Sequence, residues 1–115
     1  MKAMGQPTLT ARGALLLGLI RGEAYGLQLL KRLEDVTGGR VRIQQASAYP
    51  ILRAMEEEGL LRSWEGEPVP ERGGRPRRYY ELTAKGKKVA SEEHRALTNL
   101  LRSAGDVGGE VAHAF

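Results

Sequence analysis

Arg72, Arg75, Arg77 and Arg78 cluster around the run GGRPRRYY. Guanidinium groups stay charged at every physiological pH and grip phosphates with paired N–H donors, so they hold anions rather than transform substrates. Residues 72–88 carry seven basic side chains against the single acid Glu81, a strip of +6 in a chain of net charge +4. The rest of the chain therefore sums to −2. One concentrated basic strip on a mildly acidic body is the electrostatic footprint of a phosphate-backbone binder.

A second group of recognition-type side chains lies in QQASAYPILRAMEEEGLL. Tyr49 and Arg53 are one helical turn apart and share a face, with Gln45, Ser47 and Pro50 close by. Glu56, Glu57 and Glu58 follow at once, and three carboxylates would be repelled by phosphates. Such a helix either meets a nucleic acid by its N-terminal end, with the acidic end turned away, or is an amphipathic helix whose polar face is simply solvated.

The residues of catalysis are not assembled. The chain has no cysteine, which removes disulfides, thiolate metal sites and cysteine nucleophiles together. His94 and His113 have no second ligand at metal-binding spacing. Neither a glycine-rich phosphate loop nor a nucleophile elbow occurs. The expectation is a protein that is not an enzyme and needs no metal or cofactor.

The elements that must position the two clusters can be read from periodicity. With 115 residues, 41% of them apolar, the chain suits one folded domain. Its longest apolar run, Ala14 to Ile20, is too short to span a bilayer, and MKAMGQP is no secretory signal, so a cytoplasmic protein without membrane attachment is expected. A first helix is predicted from about Thr8 to Arg21, capped by Thr8 or Thr10 and apolar nearly all round. The stretch AYGLQLLKRLEDVT reads as a second helix, and Arg40 to Ile43 as a short β-like piece. A third helix follows, with Ser47 as N-cap, Pro50 in its first turn, and Ala48, Ile51, Leu52 and Met55 on the buried side. Gly59 suits the left-handed position past its end, with Leu60 folding back on Met55.

Next, LLRSWE and RRYYELT read as the two strands of a hairpin with a long Gly/Pro-rich connection, Tyr80 and Leu82 facing the core. Thr83 caps a last helix from Ala84 to Ala104. The predicted fold class is mainly α with a small β-hairpin (α+β): a flexible arm over 1–7, a winged helix-turn-helix over 8–83, a dimerisation helix over 84–104 and a flexible tail over 105–115. One small domain has too few elements to cover both the first helix and the stripe on the last. Leu15, Leu19, Val89, Leu97, Leu100, Leu101 and Ala104 are accordingly expected to pair two chains.

AYGLQLLKRLE, SAYPILRAMEEEGLL and GRPRRYYELTAKG together resemble the PadR-type transcriptional regulators over most of residues 9–88. The resemblance implies a homodimeric winged-helix repressor that binds an inverted-repeat operator in double-stranded DNA and lets go when a small-molecule effector, of unknown identity, binds. It places Tyr49 and Pro50 at the DNA-facing start of the recognition helix, and Arg75 and Arg77 in the wing. The chain departs from the family at Leu27, where a tyrosine is common, and at Ala48, where a larger aliphatic is usual. Taken together, the expected DNA contacts are Gln45, Ser47, Tyr49, Pro50, Arg53, Arg72, Arg75 and Arg77. The rival expectation is a winged-helix module whose hairpin meets an acidic protein.

Overall fold

The computed structural model describes residues 9–68, 73–74 and 76–105. The expected arm, most of the expected tail, and Arg72 and Arg75 of the wing lie outside the described residues.

Helix α1, Ala11–Gly18, starts where the Thr10 hydroxyl accepts the Gly13 N–H at 3.0 Å. It is shorter than its apolar run because Leu19, Ile20 and Gly22 turn back in tight bonds to Leu16, Leu17 and Leu19. A two-residue strand, β1 (Ala24–Tyr25), leads directly into helix α2, Gly26–Val36. The sequence pattern assigned Ala24 and Tyr25 to the helix, since two residues are too few to show a strand's period. Arg40 to Ile43 form no strand. Val41 is buried and Ile43 packs against the core, as alternation requires, but the Val41 N–H donates to the Thr37 hydroxyl at 3.0 Å rather than to a neighbouring strand.

Helix α3, Gln45–Glu57, begins earlier than its sequence signals suggest. Gln44, not Ser47, is the N-cap, and its carbonyl accepts the N–H groups of Ser47 and Ala48. Pro50 consequently falls inside the helix rather than in its first turn. The cost is the missing bond to the Ala46 carbonyl, and Ala46 is exposed, so water can satisfy that oxygen. The other end closes as expected: Gly59 has φ +82°, Leu60 N–H donates to Met55 C=O at 2.9 Å, and Gly59 N–H to Glu56 C=O at 3.0 Å.

Strands β2 (Leu61–Pro68) and β3 (Pro76–Leu82) form the hairpin, and β1 adds to its other side in the antiparallel order β1-β3-β2. Leu61 opposes Leu82, Trp64 opposes Tyr79, and Tyr25 opposes Tyr79 from the far side. Helix α4, Ala84–Ala104, is capped by the Thr83 hydroxyl, which accepts the Gly86 N–H at 3.0 Å.

The core gathers Leu15 and Leu16 of α1 with Leu19 just past its end, Leu29 and Leu33 of α2, Leu52 and Met55 of α3, and Tyr80, Leu82 and Ala90 beyond them. Leu15 and Leu19, expected at a contact between chains, are completely covered by their own chain. They serve the interior and offer nothing to a partner. The last turns of α4 differ: Leu97 is half-buried, Leu100 and Leu101 are 59% and 74% exposed, and Ala104 is exposed. Val89, nearer the start, packs against the core. No helix among the described residues is long and apolar enough to cross a membrane.

Candidate nucleic-acid interface

The first half of α3 stands at the surface. Gln45, Ser47, Pro50 and Arg53 are exposed, while Ala48 and Leu52 anchor the opposite side in the core. Tyr49, expected at the DNA-facing start of this helix, is not freely exposed like these neighbours. It is half-buried, and its ring lies so close to Gly26 at the start of α2 that a β-carbon there would stand 2.8 Å from Tyr49 Cε1. Its hydroxyl reaches Gln45 Oε1 at 3.5 Å. Glycine at 26 thus lets the Tyr49 ring pack directly against the backbone of α2, and a side chain there would have to displace the ring.

A cleft of about 510 Å³ runs between this helix and the hairpin. Tyr49, Arg53 and Glu56 of α3 line it together with Arg77, Arg78 and Tyr80 of β3, and Tyr25 and Leu27 join the lining. Gln45 borders a separate shallow depression with Leu27 and Ile43, and Ser47 and Pro50 line neither. Of the expected contact residues, then, Tyr49, Arg53 and Arg77 share the cleft, and the others of α3 sit beside it.

Two of the three carboxylates at the acidic end of α3 are engaged by other elements. The Ser63 hydroxyl of β2 lies 2.9 Å from the Glu56 carboxylate and accepts from Arg78 Nη1 at 2.9 Å, so carboxylate, hydroxyl and guanidinium join helix to wing. Glu58 takes both terminal nitrogens of Arg12, at 2.6 and 2.9 Å. Those hydrogen bonds hold the Glu58 carboxyl below the usual carboxylate range and raise the Arg12 guanidinium in turn. Burial pushes the Tyr80 hydroxyl above its ordinary value.

The wing's cations divide by partner. Arg78 also approaches Glu65 at 3.6 Å, and Arg62 pairs with Glu81 at 2.7 Å. Arg77 has no acid or hydrogen-bond acceptor among the described residues, and its Nε is buried without one. Its guanidinium instead lies over the Tyr25 ring, 4.2 Å from the centroid. Tyr25 escaped sequence analysis because it is far from Arg77 in the chain. Only the unexpected strand β1 brings them together.

A three-helix body whose last helix runs by a tight turn into a basic hairpin defines the winged helix-turn-helix class. The chain belongs to the Transcriptional regulator PadR-like family, whose pattern it matches over residues 15–92, and DNA-binding regulation of transcription is the activity of that family. Solved structures agree in fold. A PadR-like transcriptional regulator from Bacillus cereus is 24% identical, with a TM-score of 0.67 over 84% of this chain and 88% of that one. A PadR-like transcription factor from Bacteroides fragilis is 24% identical, with a TM-score of 0.66 over 84% and 87%. The circadian clock associated protein Pex from Anabaena is 25% identical, with a TM-score of 0.63 over 86% and 87%. Comparison with curated proteins gives no match.

Proposed function

We propose that the chain is a transcriptional repressor that binds an inverted-repeat operator as a homodimer. The observation that carries this is the cleft lined by both Arg53 of α3 and Arg77 of the wing, neither paired with an acid among the described residues. The exposed start of α3 would read base edges in the major groove, with Gln45 and Ser47 as its polar side chains. Arg53, Arg77 and the wing arginines 72 and 75 would hold phosphates.

Pairing of two chains is supported by the end of α4, where Leu100 and Leu101 stand exposed next to half-buried Leu97. Two leucines on one turn in water are costly, and an equivalent helix of a second chain would cover them. Relief by a small-molecule effector completes the proposal. It is favoured by a mostly apolar hollow of about 540 Å³ between α1 and α2, lined by Leu17, Leu33, Val36 and Val41.

Titration with a random-sequence duplex at low salt tests the DNA-binding step. A DNA binder of this kind shows non-specific affinity on the order of micromolar or better under those conditions, weakening steeply as salt rises. A chain that ignores duplex but captures acidic proteins would turn the proposal toward an interaction module.

A further inference from the structure

We infer that Tyr25 is a positioning residue for DNA binding: its ring fixes the guanidinium of Arg77 so that the terminal nitrogens are presented, already ordered, to one phosphate. This role rests on the DNA-binding function proposed above. Four observations converge on it. The Arg77 guanidinium carbon lies 4.2 Å from the Tyr25 centroid, within the range where the ring's negative face attracts a cation. Arg77 Nε is buried with no acceptor among the described residues, so the ring takes the place of a hydrogen-bonding partner on that side.

The ring itself is held. Tyr25 meets Tyr79 edge-on at 5.7 Å and 74°, and Tyr79 stacks on Trp64 at 6.0 Å and 14°. Its backbone is fixed twice over, by pairing with Tyr79 in the sheet and by an N–H bond to Gln28 Oε1 at 3.2 Å. Finally, the neighbouring wing cations Arg62 and Arg78 are engaged with Glu81, Ser63 and Glu65, whereas Arg77 is not engaged with any acid among the described residues. An arginine stacked on a ring keeps its charge and its terminal donors while surrendering conformational freedom beforehand, so less is lost when a phosphate arrives. Because Tyr25 is also the N-cap of α2, the same ring ties the wing to the helix-turn-helix body.

The test is a double-mutant cycle on duplex affinity across a salt series, using wild type, Tyr25→Phe, Tyr25→Leu, Arg77→Ala and the Tyr25→Leu/Arg77→Ala double variant with a random-sequence duplex. Arg77→Ala lowers the salt slope by about 0.9, one phosphate contact. Tyr25→Leu weakens binding about three- to thirtyfold, but costs nothing further once Arg77 is gone. Tyr25→Phe keeps the ring and behaves as wild type. Equal losses from Tyr25→Leu with and without Arg77, or a Phe variant as weak as the Leu variant, overturn the inference while leaving DNA binding intact. A wild type that does not bind duplex sinks both. Should Tyr25→Leu fail to fold, NMR of the free wild type decides: the Arg77 Nε–H resonance should be shifted upfield by the ring, and a position typical of a solvated arginine contradicts the pairing.

Discussion

Gly86 of α4 sits so close to the Leu60 carbonyl, just past the end of α3, that a methyl group at 86 would collide with that oxygen. The same junction is laced by Thr83 N–H to Leu60 C=O at 3.0 Å, Thr83 hydroxyl to Gly59 C=O at 2.5 Å and Lys85 Nζ to Glu58 C=O at 2.8 Å. The C-terminal end of α3 and the N-terminal end of α4 are therefore tied into one junction. Gly86→Ala would ordinarily favour a helix, but here the obstacle is backbone and cannot rotate away. Loss of about 1–3 kcal/mol of stability is expected, typical of overpacking, and urea unfolding measures it. A variant as stable as wild type would show that the junction yields.

The Arg12–Glu58 pair gives a pH signature. Because hydrogen bonds from Arg12 depress the folded-state value of Glu58, the contribution of the pair is present above the ordinary glutamate range and lost as pH falls through the depressed value. Glu58→Gln should lower the urea midpoint near neutral pH, and its deficit against wild type should shrink on acidification and then vanish. A deficit independent of pH would assign the effect to packing.

Leu101 is 74% exposed, so replacing it leaves the interior of one chain untouched. Leu101→Asp is expected to keep the helical circular dichroism of wild type while sedimenting as a single chain, because a buried unpaired carboxylate would break a leucine contact between two copies. A variant that remains paired would move the contact elsewhere.

Gln45 and Ser47 stand exposed at the start of α3 and outside the cleft. Changing either to alanine should cost about 1–3 kcal/mol on a selected operator if it makes a base contact, and much less on random duplex. Competition binding between the two duplexes reads the ratio. Equal losses on both would assign these side chains to general affinity.

The sequence displays the helices, the hairpin, the Gly59 closure and the Thr83 cap because each depends on local spacing or a single residue's backbone preference. It hides what depends on distant partners. Strand β1 exists only through Tyr79 and Tyr80, so its two residues read as helix. Val41 and Ile43 alternate like a strand but have the Thr37 hydroxyl where a strand would have a neighbour. The cap signal of Ser47 and the N-terminal preference of Pro50 both mislead by one turn, since the exposure of Ala46 makes an interior proline tolerable. In the site, charge clustering points to Arg77 and helix spacing to Arg53. Tyr25 beneath Arg77, and the roles of Glu56 and Glu58 as tethers, required the tertiary fold.

The most direct measurement is to select bound sequences from a random duplex pool and then determine the mass of the chain on the selected duplex. Two chains per duplex are expected, on an inverted repeat whose half-site centres lie about 34 Å, one helical turn, apart. A single chain on a site without symmetry, or no enrichment of any sequence, would contradict paired recognition by α3 and the wing.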